Sequence, residues 1–330
     1  MKSASKPQIQ RRAVLRAIAV APLFSPLVGH SQAAGSGRII SGFAAGGGAD
    51  LAARAVIDKM RETLGWSQFV VENRTGAAGK IALDVMRNAA PDGRTLLIAP
   101  LVTPVLSQLT FKNPGYDPAR DMMPVGMVGH FQFSLAVPVA HPAKNMADLV
   151  KWLKANPTKA NYGSPSPGSL PQFFGIMLGR VIGVPMLHVG YKGGAHMVND
   201  LAGGQIPVGI NTEGDLLELH RGGKIRILAT FAPKRTPQMP DIPSMVELGY
   251  KDAVGSAWYS LWTTPGTPAA QVTALNQALN AALNTTLVKA RLFSQGVEAA
   301  PGTPQELEAK RLADIAKWKP IIDASGFRAD

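Results

Sequence analysis

Short apolar runs alternate with segments of helical periodicity along most of this 330-residue chain. The runs are rich in β-branched and aromatic residues, as in buried strands, while the segments between them repeat apolar residues at helical spacing. This alternation is typical of βαβ units and predicts an α/β protein with parallel sheets. The predicted strands are 38–43, 69–72, 95–99, 125–128, 133–137, 160–163, 186–188, 208–211, 225–230 and 257–262, and the predicted helices lie near 50–64, 79–89, 146–155, 172–182, 195–202 and 216–222.

Two further helix starts near the C terminus carry clear local signals. Thr267 followed by Pro268 has the pattern of an N-cap with proline at the first helical position. Thr303 and Glu306 have the spacing of a capping box, in which each side chain bonds the other's backbone N–H. We therefore predict one helix after Thr267 and a last helix that runs through Trp318.

The segment 38–64 has the most informative local pattern. A short apolar run breaks into the three consecutive glycines at 46–48, and a helical pattern begins at Asp50. Glycines let the backbone approach a ligand closely, and the first turn of a helix offers unpaired N–H groups at the positive end of its dipole. The pattern predicts an anion site and leaves open whether the anion is a nucleotide phosphate or a carboxylate.

Residues 1–33 have the pattern of a cleaved export signal. Five Lys and Arg residues precede an uncharged stretch at 17–29, and Ser31-Gln32-Ala33 supplies the small residues of a cleavage site. The Arg11-Arg12 pair approximates a twin-arginine signal, although Sec export stays open. The apolar stretch is shorter than the roughly 20 residues of a membrane-spanning helix, as is every later one. We expect an exported mature protein that does not span the membrane.

Removing the signal also changes the charge balance. It leaves 29 Lys and Arg against 22 Asp and Glu, a net charge of +7 instead of +12. The charges are scattered and only 6% of residues are aromatic, which argues against a nucleic-acid partner. The absence of cysteine excludes disulfides, thiolate catalysis and cysteine-ligated zinc.

Common catalytic and nucleotide-binding motifs are poorly matched. The glycines at 46–48 lack the third glycine of a dinucleotide fingerprint, no Lys-Ser/Thr pair follows them, and 163–168 is not a GxSxG elbow. The five histidines after residue 34 show neither HExxH nor paired zinc spacing. We expect no catalytic residue, no metal and no cofactor.

Nine segments, in order, carry a family resemblance. They are FAAGGGADLAAR (43–54), VVENRTGAAG (70–79), APDGRTLLIA (90–99), YDPARDMMPVG (116–126), NYGSPSPGS (161–169), HVGYKGGAHMVNDLAGGQI (188–206), GGKIRILA (222–229), AWYSLWTTPGTP (257–268) and AKWKPIIDASGF (316–327). From Phe43 onward the chain resembles the solute receptors of tripartite tricarboxylate transporters, also called Bug proteins. The resemblance implies a type II periplasmic binding protein: two α/β domains with a ligand cleft and two crossing strands. Domain I would comprise 34–127 plus 258–330, and domain II 128–257.

In that family the loop before the first helix gives backbone N–H groups to a ligand carboxylate. The matching ligand-binding positions are Phe43, Ala45, Gly47, Gly48 and Asp50, and the physical pattern favours Asp50 as the N-cap rather than a ligand contact. A carboxylate is also what a few charge-assisted hydrogen bonds can hold at micromolar affinity, about −8 kcal/mol.

The remaining predicted ligand contacts come from the other walls of the cleft. In the segment 100–107 only Thr103 and Ser107 have polar side chains, so we expect this side of the cleft to be unusually apolar. Many relatives have aspartate where this chain has Asn211, so less repulsion toward an acidic ligand is expected. Glu213 and Asp215 either face the cleft or cap the next helix, and capping is the favoured interpretation. The predicted contacts outside the glycine loop are Thr103, Ser164, Ser166, Ser169, Tyr191, Lys192 and Asn211.

The resemblance implies a monomeric periplasmic receptor that captures a small carboxylate-bearing solute for a tripartite tricarboxylate permease. Two alternatives stay open: a sensory co-receptor for a membrane histidine kinase, and a secreted enzyme acting on carboxylates. Neighbouring permease genes would favour transport, an adjacent kinase gene would favour sensing, and turnover of a bound carboxylate would favour the enzyme.

Overall fold

The structure is a computed structural model that describes residues 35–329. The predicted export signal at 1–33 lies outside these residues. Within 35–329, no helix is both long enough and apolar enough to cross a membrane.

Six strands form the first sheet: β1 (Ser36–Ser41), β2 (Gln68–Asn73), β3 (Thr95–Pro100), β4 (Met123–Phe131), β10 (Ala257–Thr263) and β11 (Val297–Ala299). Their order is β11-β4-β10-β3-β1-β2. β1 pairs in parallel with β2 and β3, whereas β10 runs antiparallel to both β3 and β4. The predicted parallel sheet is therefore correct for β1 to β3 and wrong for the strand that returns from the second sheet.

Five strands form the second sheet: β5 (Phe133–Pro138), β6 (Asn161–Ser164), β7 (Leu187–Gly190), β8 (Gly209–Thr212) and β9 (Ile225–Thr230). Their order is β7-β6-β8-β5-β9. β6 pairs in parallel with β7 and β8, and the incoming strand β5 is antiparallel to β8 and β9. We call each sheet with its covering helices a lobe, the first lobe and the second lobe in chain order.

The helices cover these sheets. They are α1 (Gly48–Leu64), α2 (Lys80–Arg87), α3 (Ser107–Thr110), α4 (Pro118–Asp121), α5 (Met146–Ala155), α6 (Leu170–Ile182), α7 (Gly194–Ala202), α8 (Glu213–Arg221), α9 (Ala269–Leu283), α10 (Thr286–Ser294) and α11 (Pro304–Ser325). The capping box at Thr303 and Glu306 is confirmed. The predicted N-cap at Thr267 is wrong, because Pro268 holds the cap position and the Thr267 hydroxyl donates to the Thr264 carbonyl at 2.7 Å.

Two segments join the lobes. The first passes through Gln132 between β4 and β5, and the second spans 231–256 between β9 and β10. β4 stays in the first sheet as far as Phe131, where it pairs with β10 and β11, and so extends into the range predicted for the second domain. The lobes therefore meet along residues at the ends of these strands.

A shared aromatic cluster supports the junction. Phe174 of α6 stacks on Phe231 with ring centroids 4.5 Å apart and meets the edge of Trp318 of α11 at 5.5 Å. Phe174, Phe231 and Trp318 are all fully buried. Burying a large apolar side chain contributes about 1.5–3 kcal/mol to stability. The C-terminal helix thus packs against the second lobe as well as the first.

Candidate ligand site

A cleft of about 460 Å³ lies between the lobes, at the carboxyl ends of β1, β3, β6 and β8. This is where open α/β sheets bind ligands, and the volume is in the range of small-molecule sites. Its lining residues are Phe43, Gly47, Gly48, Ala49, Ala78, Pro100, Leu101, Val102, Leu106, Thr110, Phe111, Phe131, Phe133, Pro165, Ser166, Pro167, Gly168, Ser169, Leu170, Pro171, Asn211, Thr212, Asp215, Ala257, Tyr259 and Ala329.

The glycine loop forms what we call the first wall, residues 43–49. α1 begins at Gly48 with Gly47 at the N-cap, and no side chain in the described part of the chain caps it. The first N–H groups of a helix have no partner within the helix. Because Gly47, Gly48 and Ala49 line the cleft, this uncapped helix start is exposed to a ligand.

Asp50 holds the first wall from behind and does not line the cleft. The predicted N-cap is wrong: Asp50 lies three positions after the cap residue Gly47 and is 1% exposed. Its carboxylate accepts hydrogen bonds from the Gly46 N–H at 2.9 Å, from Arg54 Nε at 2.9 Å and from Asn73 Nδ2 at 3.0 Å. Burial opposes ionisation, but these donors together keep the pKa of Asp50 below its ordinary value.

Tyr259 of β10 closes the base of the first wall. Its ring stacks on Phe131 at 4.5 Å between centroids, and a Cβ on Gly48 would overlap its hydroxyl. This close approach is why residue 48 must be glycine. Burial, with a smaller effect from the charge of Asp215, raises the pKa of Tyr259 well above its ordinary value. The phenol therefore stays neutral and remains a hydrogen-bond donor.

Residues 165–171 form what we call the second wall. α6 begins at Leu170 with Ser169 at the N-cap, and within residues 35–329 it too lacks a side-chain cap. The Ser169 hydroxyl instead donates to the Ser166 carbonyl at 2.6 Å. Ser166 and Ser169, two of the predicted ligand contacts, line the cleft together with three prolines of the same loop.

Ser164 supports the second wall without lining the cleft. The side chain is fully buried, and its hydroxyl lies 2.7 Å from His188 Nε2 and donates to the Ser166 carbonyl at 3.1 Å. Burial lowers the pKa of His188 to about 4, so the imidazole is neutral at pH 7. Ser164 thus links His188 to the loop of the second wall through the Ser166 carbonyl.

Asn211, near the end of β8, has a buried amide donor without a partner among the described residues. Asn211 lines the cleft, is 1% exposed, and its Oδ1 accepts the Thr212 N–H at 2.8 Å. This bond fixes the amide, and Nδ2 has no hydrogen-bond partner among the described residues. Buried polar groups are nearly always hydrogen-bonded, so this unpartnered donor is a candidate contact for a ligand acceptor.

The two acidic residues after Asn211, Glu213 and Asp215, lie in different environments. Thr212 caps α8 by accepting the Asp215 N–H at 3.3 Å, so neither acid is the cap. Glu213 points into the second lobe, where it accepts from Thr230 Oγ1 at 2.6 Å and Ser134 Oγ at 3.3 Å, and burial raises the pKa of Glu213. The side chain of Asp215 is exposed and lines the cleft.

Besides Asp50 and Ser164, four further predicted contacts do not line the cleft. Ala45 is exposed outside the cleft, and Thr103 is buried with its hydroxyl donating to the Ala78 carbonyl at 3.4 Å. Tyr191 donates to Asp200 at 2.9 Å, and both Tyr191 and Lys192 belong to a separate surface depression. Lys192 is therefore not placed to neutralise a carboxylate in the cleft.

Sequence reasoning missed the aromatic residues at the ends of the crossing strands. Phe131, Phe133 and Tyr259 line the cleft, although none was selected as a ligand contact. The available signal was positional, since residues at the junction between two lobes necessarily border the space between them. Among residues 35–329 no cluster of three His, Asp or Glu side chains has the geometry to hold a metal ion.

Two α/β lobes with a cleft between them, bordered by uncapped helix starts, define a periplasmic-type solute-binding protein. The sequence profile of the tripartite tricarboxylate transporter family receptor matches residues 52–327, and the chain belongs to this family.

Individual relatives agree with this assignment. Protein BugT of Bordetella pertussis is 29% identical over 316 residues, which cover 94% of this chain and 95% of BugT. The structure of the periplasmic binding protein BugD superposes with a TM-score of 0.77 at 30% identity, covering 89% of this chain and 99% of BugD. An R. palustris protein solved with adipate superposes with a TM-score of 0.80 at 29% identity, covering 89% and 98%.

Proposed function

We propose that this protein is a periplasmic receptor that binds a small carboxylate-bearing solute between its lobes and delivers it to a tripartite tricarboxylate permease. The observation that carries the proposal is the convergence of donors on one cleft. The uncapped starts of α1 and α6 approach from opposite lobes, and the unpartnered Nδ2 of Asn211 belongs to the same cleft. Binding, rather than catalysis, is the activity that this set of groups serves.

The energetics fit a receptor. A hydrogen bond to a charged group contributes about 1.5–3 kcal/mol, and a micromolar dissociation constant requires about 8 kcal/mol in total. A few such bonds, together with burial of the solute's apolar part, account for that affinity. Helix starts on both lobes would also favour a closed arrangement with the carboxylate between them. The adipate seen in the R. palustris neighbour supports a carboxylate as the ligand class.

A thermal-shift panel on the full chain tests the ligand class, with mono-, di- and tricarboxylates beside amino acids and uncharged analogues. A ligand present at 100 times its dissociation constant stabilises the folded state by about 2.7 kcal/mol. We expect at least one carboxylate to raise the melting temperature. A shift with only uncharged or cationic solutes would refute the carboxylate assignment.

The Asn211→Ala variant tests whether the carboxylate binds in this cleft. Loss of one charge-assisted hydrogen bond should weaken carboxylate binding about tenfold. Asn161→Ala is the matched control, because Asn161 also has a buried amide atom without a partner but lies outside the cleft. Equal losses in the two variants would contradict the proposed site.

Export and delivery complete the proposal. Residues 1–33 would direct the chain to the periplasm by the twin-arginine or the Sec route, and a mature N terminus after Ala33 in the exported protein would support cleavage there. Deletion of the gene should abolish cellular uptake of the ligand found in the panel. Undiminished uptake would favour the sensory alternative.

A further inference from the structure

Glu213 is a buried acid at the place where the two lobes are joined. Its backbone N–H donates to the carbonyl of Gln132, the first joining segment, at 3.0 Å. Its carboxyl group accepts a hydrogen bond from the Thr230 hydroxyl at 2.6 Å, and Thr230 immediately precedes the second joining segment, 231–256. Glu213 is only 3% exposed. One buried side chain is therefore bonded beside both segments that connect the lobes.

The Thr230 hydroxyl lies at the centre of this junction. Its oxygen accepts the Ala232 N–H at 3.2 Å, and its hydrogen has two acceptors within reach: Glu213 Oε1 at 2.6 Å and the Phe133 carbonyl at 3.2 Å. A hydroxyl has one hydrogen to donate, so an ionised Glu213 takes it. A protonated Glu213 donates its own hydrogen to Thr230 and leaves the Thr230 hydrogen for Phe133. The protonated form thus adds a direct bond between the residues that flank the two joining segments.

The first lobe packs against the same place. A Cβ on Gly214 would lie 3.1 Å from the Gln295 carbonyl oxygen, and a hollow of about 240 Å³ is bordered by Glu213 and by Gly296 of the first lobe. Gln295 and the glycines at 46–48 together border the start of α8. Movement of α8 away from the first wall therefore also separates Gly214 from Gln295 and admits water to Glu213.

The environment of Glu213 controls its affinity for a proton. Burial raises the pKa of Glu213 and outweighs the hydrogen bonds from Thr230, Thr236 and Ser134, which lower it. When water reaches a glutamate, its pKa moves back toward the ordinary value of about 4.3. The arrangement of the lobes in this structure therefore binds the proton more tightly than a more open one.

Other charged or titratable side chains surround this region. They border the same hollow, or belong to α8 and the elements packed on it: His130, His196, Asp200, Asp215, Glu218, His220, Arg221, Arg226, Lys234, Arg235 and Glu298. The raised pKa of Glu213 comes from its burial and not from any of these charges.

We infer that Glu213 is a positioning residue for ligand binding: it holds the joining segments in the arrangement in which both lobes border the cleft, and it strengthens binding when it takes up a proton. This inference rests on the proposed receptor function and deepens it. Because residues of both lobes line the cleft, a group that keeps the lobes together favours the bound state. Proton binding and ligand binding that favour the same arrangement strengthen each other reciprocally.

Isothermal titration calorimetry of the full chain at pH 7.5 and pH 5.5 tests this coupling. The probe is whichever of acetate, benzoate, succinate, adipate and citrate binds most tightly at pH 7.5. Between the two pH values the dissociation constant should fall about threefold more in the wild type than in Glu213→Gln, whose amide is neutral at both. Comparing the two proteins cancels the titration of the probe and of the other groups. Equal pH responses would overturn the inference.

Further variants separate this role from a general loss of structure. Glu218→Gln is the matched control, because Glu218 lies on the same helix, pairs with Arg221 at 3.1 Å and borders neither the cleft nor the hollow. It should keep the wild-type pH response. Thr230→Val removes the shared hydroxyl and should lose the response, whereas Thr230→Ser should restore it. A full response in Thr230→Val, or a lost response in Glu218→Gln, would contradict the role of this network.

Small-angle X-ray scattering of the ligand-free chain supplies a readout that needs no probe. The radius of gyration of the wild type should fall between pH 7.5 and pH 5.5, and that of Glu213→Gln should stay constant. If the probe binds with equal pH responses in both proteins, the inference fails and the receptor proposal stands. If none of the five carboxylates binds, the carboxylate receptor proposal fails, and the scattering alone decides whether Glu213 sets the arrangement of the lobes.

Discussion

The first and second walls of the cleft each present an uncapped helix start, but different chemistry holds each wall in place. Behind the first wall, the ionised carboxylate of Asp50 collects three donors. Beneath the second wall, a neutral histidine, His188, meets the buried hydroxyl of Ser164. In the proposed binding mode the ligand carboxylate is held by helix starts and not by a cationic side chain. Such a mode requires that the groups supporting each helix start leave its first N–H groups free.

The largest effect should follow from removing the anchor of the first wall. Asp50→Ala leaves the Gly46 N–H and one of the two Asn73 amide hydrogens without an acceptor, so we expect the free energy of unfolding to fall by about 3 kcal/mol. The pKa of Asp50 is lowered in the fold, so its contribution is present above about pH 4 and is lost as the pH falls through the folded value. Urea denaturation at pH 7 measures the loss.

Arg54→Ala is the control for that prediction. The Arg54 side chain is 51% exposed, so its ion pair with Asp50 should be worth about 1 kcal/mol or less. Asp50→Asn should give an intermediate loss, because the amide oxygen can still accept from Gly46. A loss below 1 kcal/mol in Asp50→Ala would show that the donors find other partners and that the first wall is not anchored here.

A second prediction concerns the surface of the first wall instead of its anchor. Gly48→Ala places a Cβ against the Tyr259 hydroxyl and should displace the start of α1. Loss of one or two charge-assisted hydrogen bonds would weaken carboxylate binding about 10- to 100-fold. Calorimetric titration with the best carboxylate of the thermal-shift panel measures the change.

Two further variants isolate the steric cause. In Gly48→Ala combined with Tyr259→Phe the hydroxyl is gone, so binding should recover relative to Gly48→Ala alone. Gly47→Ala should change affinity only a few-fold, because its Cβ would meet the Ala44 carbonyl at 3.1 Å and a small shift relieves the contact. If Gly47→Ala is the more damaging substitution, Tyr259 does not set the position of the loop.

The contrast between the walls also shows which features of the fold and the site could be predicted from the sequence. The family resemblance implied the two lobes, and local turn and helix signals placed both helix starts within two residues of the observed Gly48 and Leu170. The role of Asp50 was not predictable, because Asp50 lies on α1 and its partner Asn73 lies at the end of β2, and the two meet only in the folded chain. Tyr259 and Phe131 were missed for the same reason: their position depends on how β10 and β4 pair.

The smallest effect on stability should come from the protonation of His188, beneath the second wall, as the pH falls. The pKa of His188 is lowered by burial to about 4, against about 6.5 in an unfolded chain. Between these values the unfolded chain binds a proton that the folded chain does not, so the stability contributed by neutral His188 is lost as the pH falls from 6.5 toward 4. Allowing for partial solvent exposure, we expect a loss of about 1 kcal/mol between pH 7 and pH 5.

His130 and His141 also have lowered pKa values because of burial, so the stability loss due to His188 must be measured as a difference between the wild type and a His188 variant. Urea denaturation of the wild type and of His188→Gln at pH 7 and pH 5 measures this difference. Between these pH values the variant should lose about 1 kcal/mol less stability than the wild type. Asp50→Asn should keep the full wild-type slope, because Asp50 stays ionised throughout this window. Equal slopes in wild type and His188→Gln would mean that His188 does not carry the pH sensitivity of the second wall. A flattened slope in Asp50→Asn would instead place that sensitivity in the first wall.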